Sequence, residues 1–433
     1  MPPQVCPLRY APTAVRPLIQ QQFKTLPLPM PPIQLGLKQN AAQFSLLVLI
    51  NSFVGGMVGM ERSILPRLAE IVYGLNANLA ILSFIAVFGL FKAGTNYLTG
   101  SLAQRFGRKN LLVVGWIIAL PIPFLLMYAP NWNWILFANA LLGIQQGLTW
   151  SSTVVMKIEL VGPKQRGLAM GINESAGYLA LGGMAFLSGW VATEFGLVPY
   201  PFFLGIAMSI MGLLLSVFFV RDTRAFAQAE AEQSRIPILP RIAAQTAWKH
   251  PNLASISQAG MVNNLNDGMI WGLLPVLLLQ KGFSLNQMAL LAAIYPAVWG
   301  LGQLFTGALA DVISKKKLLF WGMLVQGISI PLLLLFDSFQ GLAWTLVVLG
   351  LGTAVVYPTF LAGISENTHP SQRPKAIGTF RLWRDLGYVV GALLSGWLAD
   401  RWSIPVAMVC VGALTLASGL WLGFRMKNNP VSS

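Results

Sequence analysis

Twelve predominantly apolar stretches follow one another from Ala41 onward, each about 20 residues long, which as helix suffices to cross the hydrocarbon core of a bilayer. They run approximately over 42–63, 77–99, 110–129, 134–157, 167–192, 200–220, 252–279, 286–310, 317–336, 340–363, 375–399 and 403–425. The apolar runs are continuous, whereas the strands of a membrane barrel alternate. Irregular backbone facing lipid leaves polar groups unsatisfied, so each stretch is predicted as a helix. The longest polar connection, Arg221 to His250, divides the spans six and six, and its Ala/Glu/Gln stretch predicts a short surface helix.

Composition and charge sharpen this picture. Some 55% of residues are apolar and only 10% are charged, against about 25% charged in a soluble domain. The net charge of +15 does not indicate nucleic acid, because the basic residues sit in short connections rather than on one surface. The even-to-odd connections hold Arg105, Arg108 and Lys109; Lys164 and Arg166; Arg221, Arg224, Arg235, Arg241 and Lys249; Lys315, Lys316 and Lys317; and Arg373 and Lys375. The opposite loops are poorer, with Arg62, Arg67, Lys281 and Arg401 as exceptions. Basic loops face the cytoplasm, so both termini are expected there, in a multi-pass protein of the plasma membrane, a bacterial inner membrane by this reading. Residues 1–40, rich in Pro, lack an apolar core before a small-residue cleavage site. They are read as a disordered cytoplasmic tail. Residues 41–220 then form one bundle, 221–250 a linker, 251–426 a second bundle and 427–433 a short tail.

Enzyme chemistry finds no support. Cys6 and Cys410 offer neither metal spacing nor a disulfide framework. His250 and His369 both fall in predicted loops, and no phosphate-binding glycine loop is present. No cofactor and no metal are expected. The partners are membrane lipid and a small-molecule solute, and the chain is expected to work as a monomer.

The chain also repeats itself. "TGSLAQRFGRKNLLVVG" at 99–115 returns as "TGALADVISKKKLLFWG" at 306–322, a shift of 207 residues. The same shift places Gly100 on Gly307, Glu159 on Glu366, Arg166 on Arg373, Gly171 on Gly378, and "LSGW" at 187–190 on "LSGW" at 394–397. Two six-span halves in one orientation form a parallel repeat, two bundles facing each other across a central cavity.

"GSLAQRFGRKNLL" resembles the signature loop between spans two and three of the major facilitator superfamily, G-x-L-a-D-R-x-G-R-K, and "GALADVISKKKLL" is its weaker second copy. The resemblance implies an all-α membrane protein of twelve transmembrane helices in two pseudo-symmetric six-helix bundles. It also implies that these loops lock neighbouring helices when the cavity faces outward. Carried onto this chain, the gating candidates are Gly100, Gln104, Arg105, Gly107, Arg108, Lys109 and Glu159, repeated as Gly307, Asp311, Lys315 and Glu366. Gln104 stands where the family has an acid, so the first copy is expected to latch more weakly. "LGG" at 181–183 is similar to part of the span-five motif of drug–proton antiporters, but Tyr178 and Leu179 replace its preceding Gly-Pro, so drug efflux does not follow.

An ionisable group inside a span costs roughly 2.5–3.5 kcal/mol on insertion scales, which makes each a functional candidate. Lys92 lies in span two and Glu174 in span five; the repeat mate of Glu174 is Arg381. Arg381, Arg384, Asp385 and Tyr388 share one helical face. Span seven carries Asn263, Asn264, Asn266 and Asp267, followed by Gly268 as a point of bending. Glu174, Asp267 or Asp385 is read as the group that takes up and releases a proton, and Arg384 as holding an anionic solute group or balancing Asp385. The chain is thus expected to be a proton-coupled secondary transporter of a small organic solute, working by alternating access. The alternative is a non-transporting assembly factor or sensor of the same fold.

Overall fold

The computed structural model describes residues 33–62, 64–75 and 77–428. The expected N-terminal tail lies outside the described residues as far as residue 32, and the C-terminal tail from residue 429 onward. Twelve long helices follow: α1 Ala41–Arg62, α2 Ala77–Phe106, α3 Arg108–Ala119 (continued by Pro121–Met127), α4 Trp132–Val161, α5 Arg166–Phe195, α6 Tyr200–Phe218, α7 Pro251–Gln280, α8 Leu285–Val312, α9 Lys315–Leu332, α10 Phe339–Glu366, α11 Arg373–Arg401 and α12 Ile404–Arg425. The connection between α6 and α7 carries a linker helix, Arg224–Gln233. Helix starts carry their own caps: Asn131 accepts from Asn133, Ser338 from Gly341 and Ser403 from Val406. Such caps satisfy backbone donors that the helix itself leaves free.

Seven of these segments qualify as membrane spans on length and apolarity alone. The others, α2, α4, α7, α9 and α11, are the helices that hold Lys92, Lys157, Asp267, Gln326 and Arg381 among the buried or partly buried polar groups. They can stay in the bilayer because those groups face protein rather than lipid. Lipid is met by large apolar side chains such as Phe186, Phe305, Leu393 and Phe424, all strongly exposed.

The two halves pack alike. Helix α1 lies along α5 as α7 lies along α11; α2 lies along α4 as α8 lies along α10. Between the halves run two seams, α2 against α11 and α5 against α8, which the 207-residue shift exchanges. Both seams close on glycine. A Cβ on Gly378 would stand 2.6 Å from the Asn96 carbonyl and 3.1 Å from Gly100 Cα. One on Gly171 would stand 2.3 Å from the Gln303 carbonyl and 2.9 Å from Gly307 Cα. The backbones touch there, which only a missing side chain permits.

Those crossings sit at the end of the molecule that carries the basic loops. Toward the opposite end the seams part. Gly182 lies about three turns beyond Gly171 on the same face of α5, and Gly396 lies about five turns beyond Gly378 on α11; a Cβ on either would meet nothing within 4 Å. Core packing follows the same gradient. One apolar cluster runs through both halves at the basic end, joining Met170, Ala169 and Val154 to Ile256, Phe360 and Phe380. A second, with Leu277, Tyr295, Leu346 and Met408, belongs to the C-terminal bundle. Gly268 is not a bend: α7 is one continuous helix, and a Cβ there would lie 2.6 Å from the Tyr388 carbonyl, so this glycine admits α11.

Candidate functional site

About two turns into α5 and α11 from the basic end, the two bundles meet through charge. Arg381 on α11 reaches Glu174 on α5, Nη2 to Oε1, at 3.5 Å, and both side chains are fully buried. Glu174 also accepts from Trp150 Nε1 at 3.2 Å and from Asn173 Nδ2 at 2.7 Å. Neither partner is saturated: among the described residues, Oε2 of Glu174 and Nε and Nη1 of Arg381 have no hydrogen-bond partner. Such a pair is long and incompletely bonded, which makes it breakable rather than a permanent staple.

One turn along α11, Arg384 donates through Nε and Nη2 to Oδ1 of Asp385 at 3.1 and 2.9 Å, and its guanidinium lies over the Tyr357 ring. The other oxygen of Asp385 accepts from Asn96 on α2, whose own carbonyl accepts from Ser151. Arg384 and Asp385 thus form a buried ion pair. Asp267 differs from both other carboxylates. It is buried, accepts from Tyr295 and, at 3.4 Å, from Tyr388, and forms no ion pair among the described residues. Asn263 and Asn264 beside it are buried and bonded to one another at 3.4 Å, each with one polar atom left without a partner. Asn266 points elsewhere, bonding Gln326 and Thr415 inside the C-terminal bundle.

Lys92 is only partly buried and forms no ion pair among the described residues. Its ammonium lies 5.3 Å from the ring centres of both Phe88 and Trp150. An aromatic group joins the halves here: Tyr178 of α5 shares a 2.7 Å hydroxyl contact with Tyr357 of α10 and packs on Trp299 of α8 at 4.3 Å. Sequence reasoning missed these rings, since an aromatic inside an apolar span carries no distinguishing signal. It also passed over Lys157, placed at the end of span four. Helix α4 continues for another turn, and Lys157 is fully buried, donating to the Leu47 carbonyl at 3.0 Å.

The basic end carries the latch residues. Arg108 grips Oε1 of buried Glu159 with Nε at 3.1 Å and Nη2 at 2.6 Å, and Thr223 donates to the other oxygen. The repeat mates Lys315 and Glu366 form the corresponding pair at 2.9 Å. These two pairs lie within their own halves. Asp311 crosses between halves: its carboxylate accepts from the backbone N–H groups of Gly167 and Leu168, at 2.7 and 2.9 Å, at the start of α5. A carboxylate at a helix N-terminus satisfies free donors and meets the positive end of the dipole. Its mate Gln104 donates instead to the Ser371 carbonyl at 2.8 Å. The reason lies in its target. The position equivalent to Gly167 is Pro374, which has no N–H, so an acid at 104 would find one backbone donor of two.

Gly107 has φ +89, and a Cβ there would stand 2.6 Å from Asp222. Asp222 accepts from the backbone of Lys109 and of Arg224. Partial burial pushes its carboxyl up, but those hydrogen bonds and Arg224 outweigh this and hold it below the usual range. Lys109 donates to the Val217 carbonyl. Arg105 joins nothing in the latch: it is exposed and lies over the Phe106 ring. Gly100 and Gly307 are the seam glycines described above.

Glu230 of the linker helix is a buried ion-pair residue the sequence did not disclose. It bonds Arg373 at 2.8 and 2.9 Å and also takes the guanidinium of Arg166. One carboxylate thereby ties the first turn of α5 to that of α11. Burial pushes this carboxyl up, but the hydrogen bonds and charges of Arg373 and Arg166 prevail and hold it at about 2. At the opposite end two of the four basic exceptions have local partners. Lys281 pairs with Asp337, and Arg62 lies over Phe84 and Phe88.

Comparison with known proteins agrees with this architecture. The sequence profile of the Major Facilitator Superfamily matches residues 44–264 and again 256–433. The inner membrane transport protein YnfM of Escherichia coli is 28% identical over 148 residues, 34% of this chain and 36% of that protein. The multidrug resistance protein MdtG of Citrobacter koseri is 24% identical over 79% of this chain and 84% of its own length. YddS of Bacillus subtilis, an uncharacterized transporter of this type, is 25% identical over 86% and 88%. Among solved structures, the human organic anion transporter MFSD10 superposes with a TM-score of 0.72 at 15% identity, covering 91% of this chain and all of that one.

Proposed function

The chain belongs to the Major Facilitator Superfamily, a family of multi-pass membrane transporters rather than enzymes, and from that premise we propose that it is a proton-coupled secondary transporter of a small organic solute, working by alternating access. The observation that carries the reading is the pair of seams. They close on backbone contact at one end and part at the other, with a charged centre between them. A rocking pair of bundles needs this arrangement, since each end must be able to open while the other shuts. The division into bundles 41–220 and 251–426 with a linker between them belongs to the same proposal. So do a cytoplasmic placement of the basic end and both termini, a bacterial plasma membrane, and a monomeric transporter.

Asp267 is the favoured proton carrier of the three carboxylates. Asp385 is held by Arg384 and Glu174 faces Arg381, so protonating either would abandon a buried cation. Asp267 has only hydroxyl partners, Tyr295 and Tyr388, and can be neutralised without stranding a charge. Its two tyrosines come from α8 and α11, so a movement of α11 changes its surroundings. A non-transporting role gives no use to a buried carboxylate of this kind or to the unsaturated Glu174–Arg381 pair.

The test is flux in proteoliposomes of the full chain under an imposed pH gradient, screened against pools of organic solutes. Asp267→Asn is expected to abolish gradient-driven accumulation while leaving solute exchange. If accumulation survives in Asp267→Asn, and also in Glu174→Gln and Asp385→Asn, proton coupling is wrong.

A further inference from the structure

We infer that the polar centre takes the anionic head of an organic acid, with Lys92 and Arg381 as the groups that hold it. The inference rests on the transporter reading above and names its substrate class. Three observations on α2, α11 and their neighbours support it.

First, the centre carries a positive surplus once Asp267 takes a proton. Lys92, Arg381 and Arg384 stand against Glu174, Asp267 and Asp385, while fully buried Lys157 bonds a backbone carbonyl. The charges balance with every carboxylate ionised, and one positive charge is in surplus once Asp267 is neutral. In a weakly polar interior such a surplus calls for an anion. Binding of a monoanion and of a proton would then favour each other.

Second, the surplus has open donors. Arg384 is spent on Asp385. Arg381 is fully buried, yet its Nε and Nη1 have no partner. Lys92 lies in the field of Asp385, Arg384, Arg381 and Glu174, but none of the carboxylates pairs with it, so its ammonium keeps donors to offer. Buried donors left unbonded cost free energy that an acceptor-bearing ligand recovers. A carboxylate or sulfonate brings acceptors and no donor.

Third, the surroundings are aromatic. The Lys92 ammonium lies over the rings of Phe88 and Trp150, and the tilted Tyr178–Trp299 pair adjoins Trp150 through a Trp150–Tyr178 contact at 5.5 Å. These rings suit an apolar or aromatic body attached to the charged head. An organic cation would meet Lys92 and Arg381 as like charges, and the site would reject it.

The test is isothermal titration calorimetry on the purified full chain, with 2-naphthoate, its neutral amide 2-naphthamide and the cation 2-naphthylmethylammonium. Naphthoate is expected to bind at least about tenfold more tightly than either other probe, about 1.4 kcal/mol. Lys92→Gln should weaken naphthoate by about tenfold or more, and Lys92→Arg should restore most of the affinity. Lys92 is only partly buried, so both variants are expected to fold; monodisperse elution and an unchanged thermal midpoint check this. The inference falls if the ammonium probe binds as well as naphthoate, if none of the three binds, or if well-folded Lys92→Gln binds naphthoate like the parent. Calorimetry needs no flux. Naphthoate binding without pH-driven transport would therefore sink proton coupling alone, and pH-driven transport of an ammonium solute would sink the anion class alone.

Discussion

Arg166 and Arg373 are copies of one another, separated by the same 207 residues as Glu174 and Arg381, and both are held by one carboxylate, that of Glu230. Two like charges from opposite halves would repel at the closed seam. The linker helix places a single acid between them and converts that repulsion into a tie. The linker thus joins the two halves at the basic end through a side chain as well as along the backbone.

Glu230→Gln should loosen the basic end. Removing one partner of a buried ion pair costs about 3–5 kcal/mol, because the other charge is left without compensation; here two arginines are left facing each other. Spin labels at the exposed positions Lys164 and Lys317 report the separation of the halves by pulsed electron resonance in nanodiscs. A longer-distance population should appear in the variant. An unchanged distribution would mean that the glycine seams alone hold this end shut.

The same carboxylate sets a pH window. Its pKa is about 2 when latched, against an ordinary value of 4.5. A depressed carboxyl pKa contributes stability that is complete above the ordinary value and is lost as pH falls toward the latched one. Between pH 8 and 5, therefore, the Glu230 latch should not respond to pH. In an Asp267→Asn background, which removes the proposed proton site, the Lys164–Lys317 distances should be the same at pH 7.5 and 5.5. A shift toward the open population in that range that persists when Asp311→Asn is added would show Glu230 titrating far above 2.

Asp311 and Gln104 should respond unequally to exchange. Asp311→Asn removes the charge that caps α5 and should weaken closure by about 0.5–2 kcal/mol. Gln104→Asp should gain less than this, because Pro374 offers no N–H and Lys375 alone can donate. Both effects are read as the closed fraction from the same label pair. Equal and opposite changes would mean that the charge of the acid acts on the helix as a whole rather than through its two hydrogen bonds.

Much of this was legible because the chain states its plan twice. The shift that aligned the signature loops also predicted that Arg108 and Glu159 would have counterparts in Lys315 and Glu366, and it aligned Glu174 with Arg381. Charge inside an apolar run marked Lys92, Asp267 and Asp385. Glu230 could not be found this way, since it lies in an Ala/Glu/Gln stretch where one acid resembles the next, and only the docking of the linker helix selects it. Its partners were visible: Arg166 falls on Arg373 in the repeat, but both were counted among the basic loop residues. The rings of Tyr178, Trp299 and Tyr357 are apolar to any hydropathy reading, and only tertiary packing sets them at the junction of the halves. Arg105 shows the opposite failure, a motif position whose side chain the fold leaves on the surface.

Glu174 and Arg381 should couple, and only modestly. Their contact is 3.5 Å long and leaves three polar atoms unpartnered, so the pair is far from the tight geometry of Arg108 with Glu159. In a double-mutant cycle of Glu174→Gln, Arg381→Gln and the double variant, each single change strands a buried charge, whereas the double change strands none. The double variant should therefore close the basic end better than the sum of the singles predicts, with an interaction energy of about 0.5–3 kcal/mol, toward the lower end. The closed fraction from the Lys164–Lys317 labels supplies the free energies. Because the two residues come from opposite halves, this coupling belongs to the closed basic end and should vanish in Glu230→Gln molecules already driven open. Strict additivity in the parent would mean that the central pair contributes nothing to closure, and that the seams and the linker carboxylate hold the halves together by themselves.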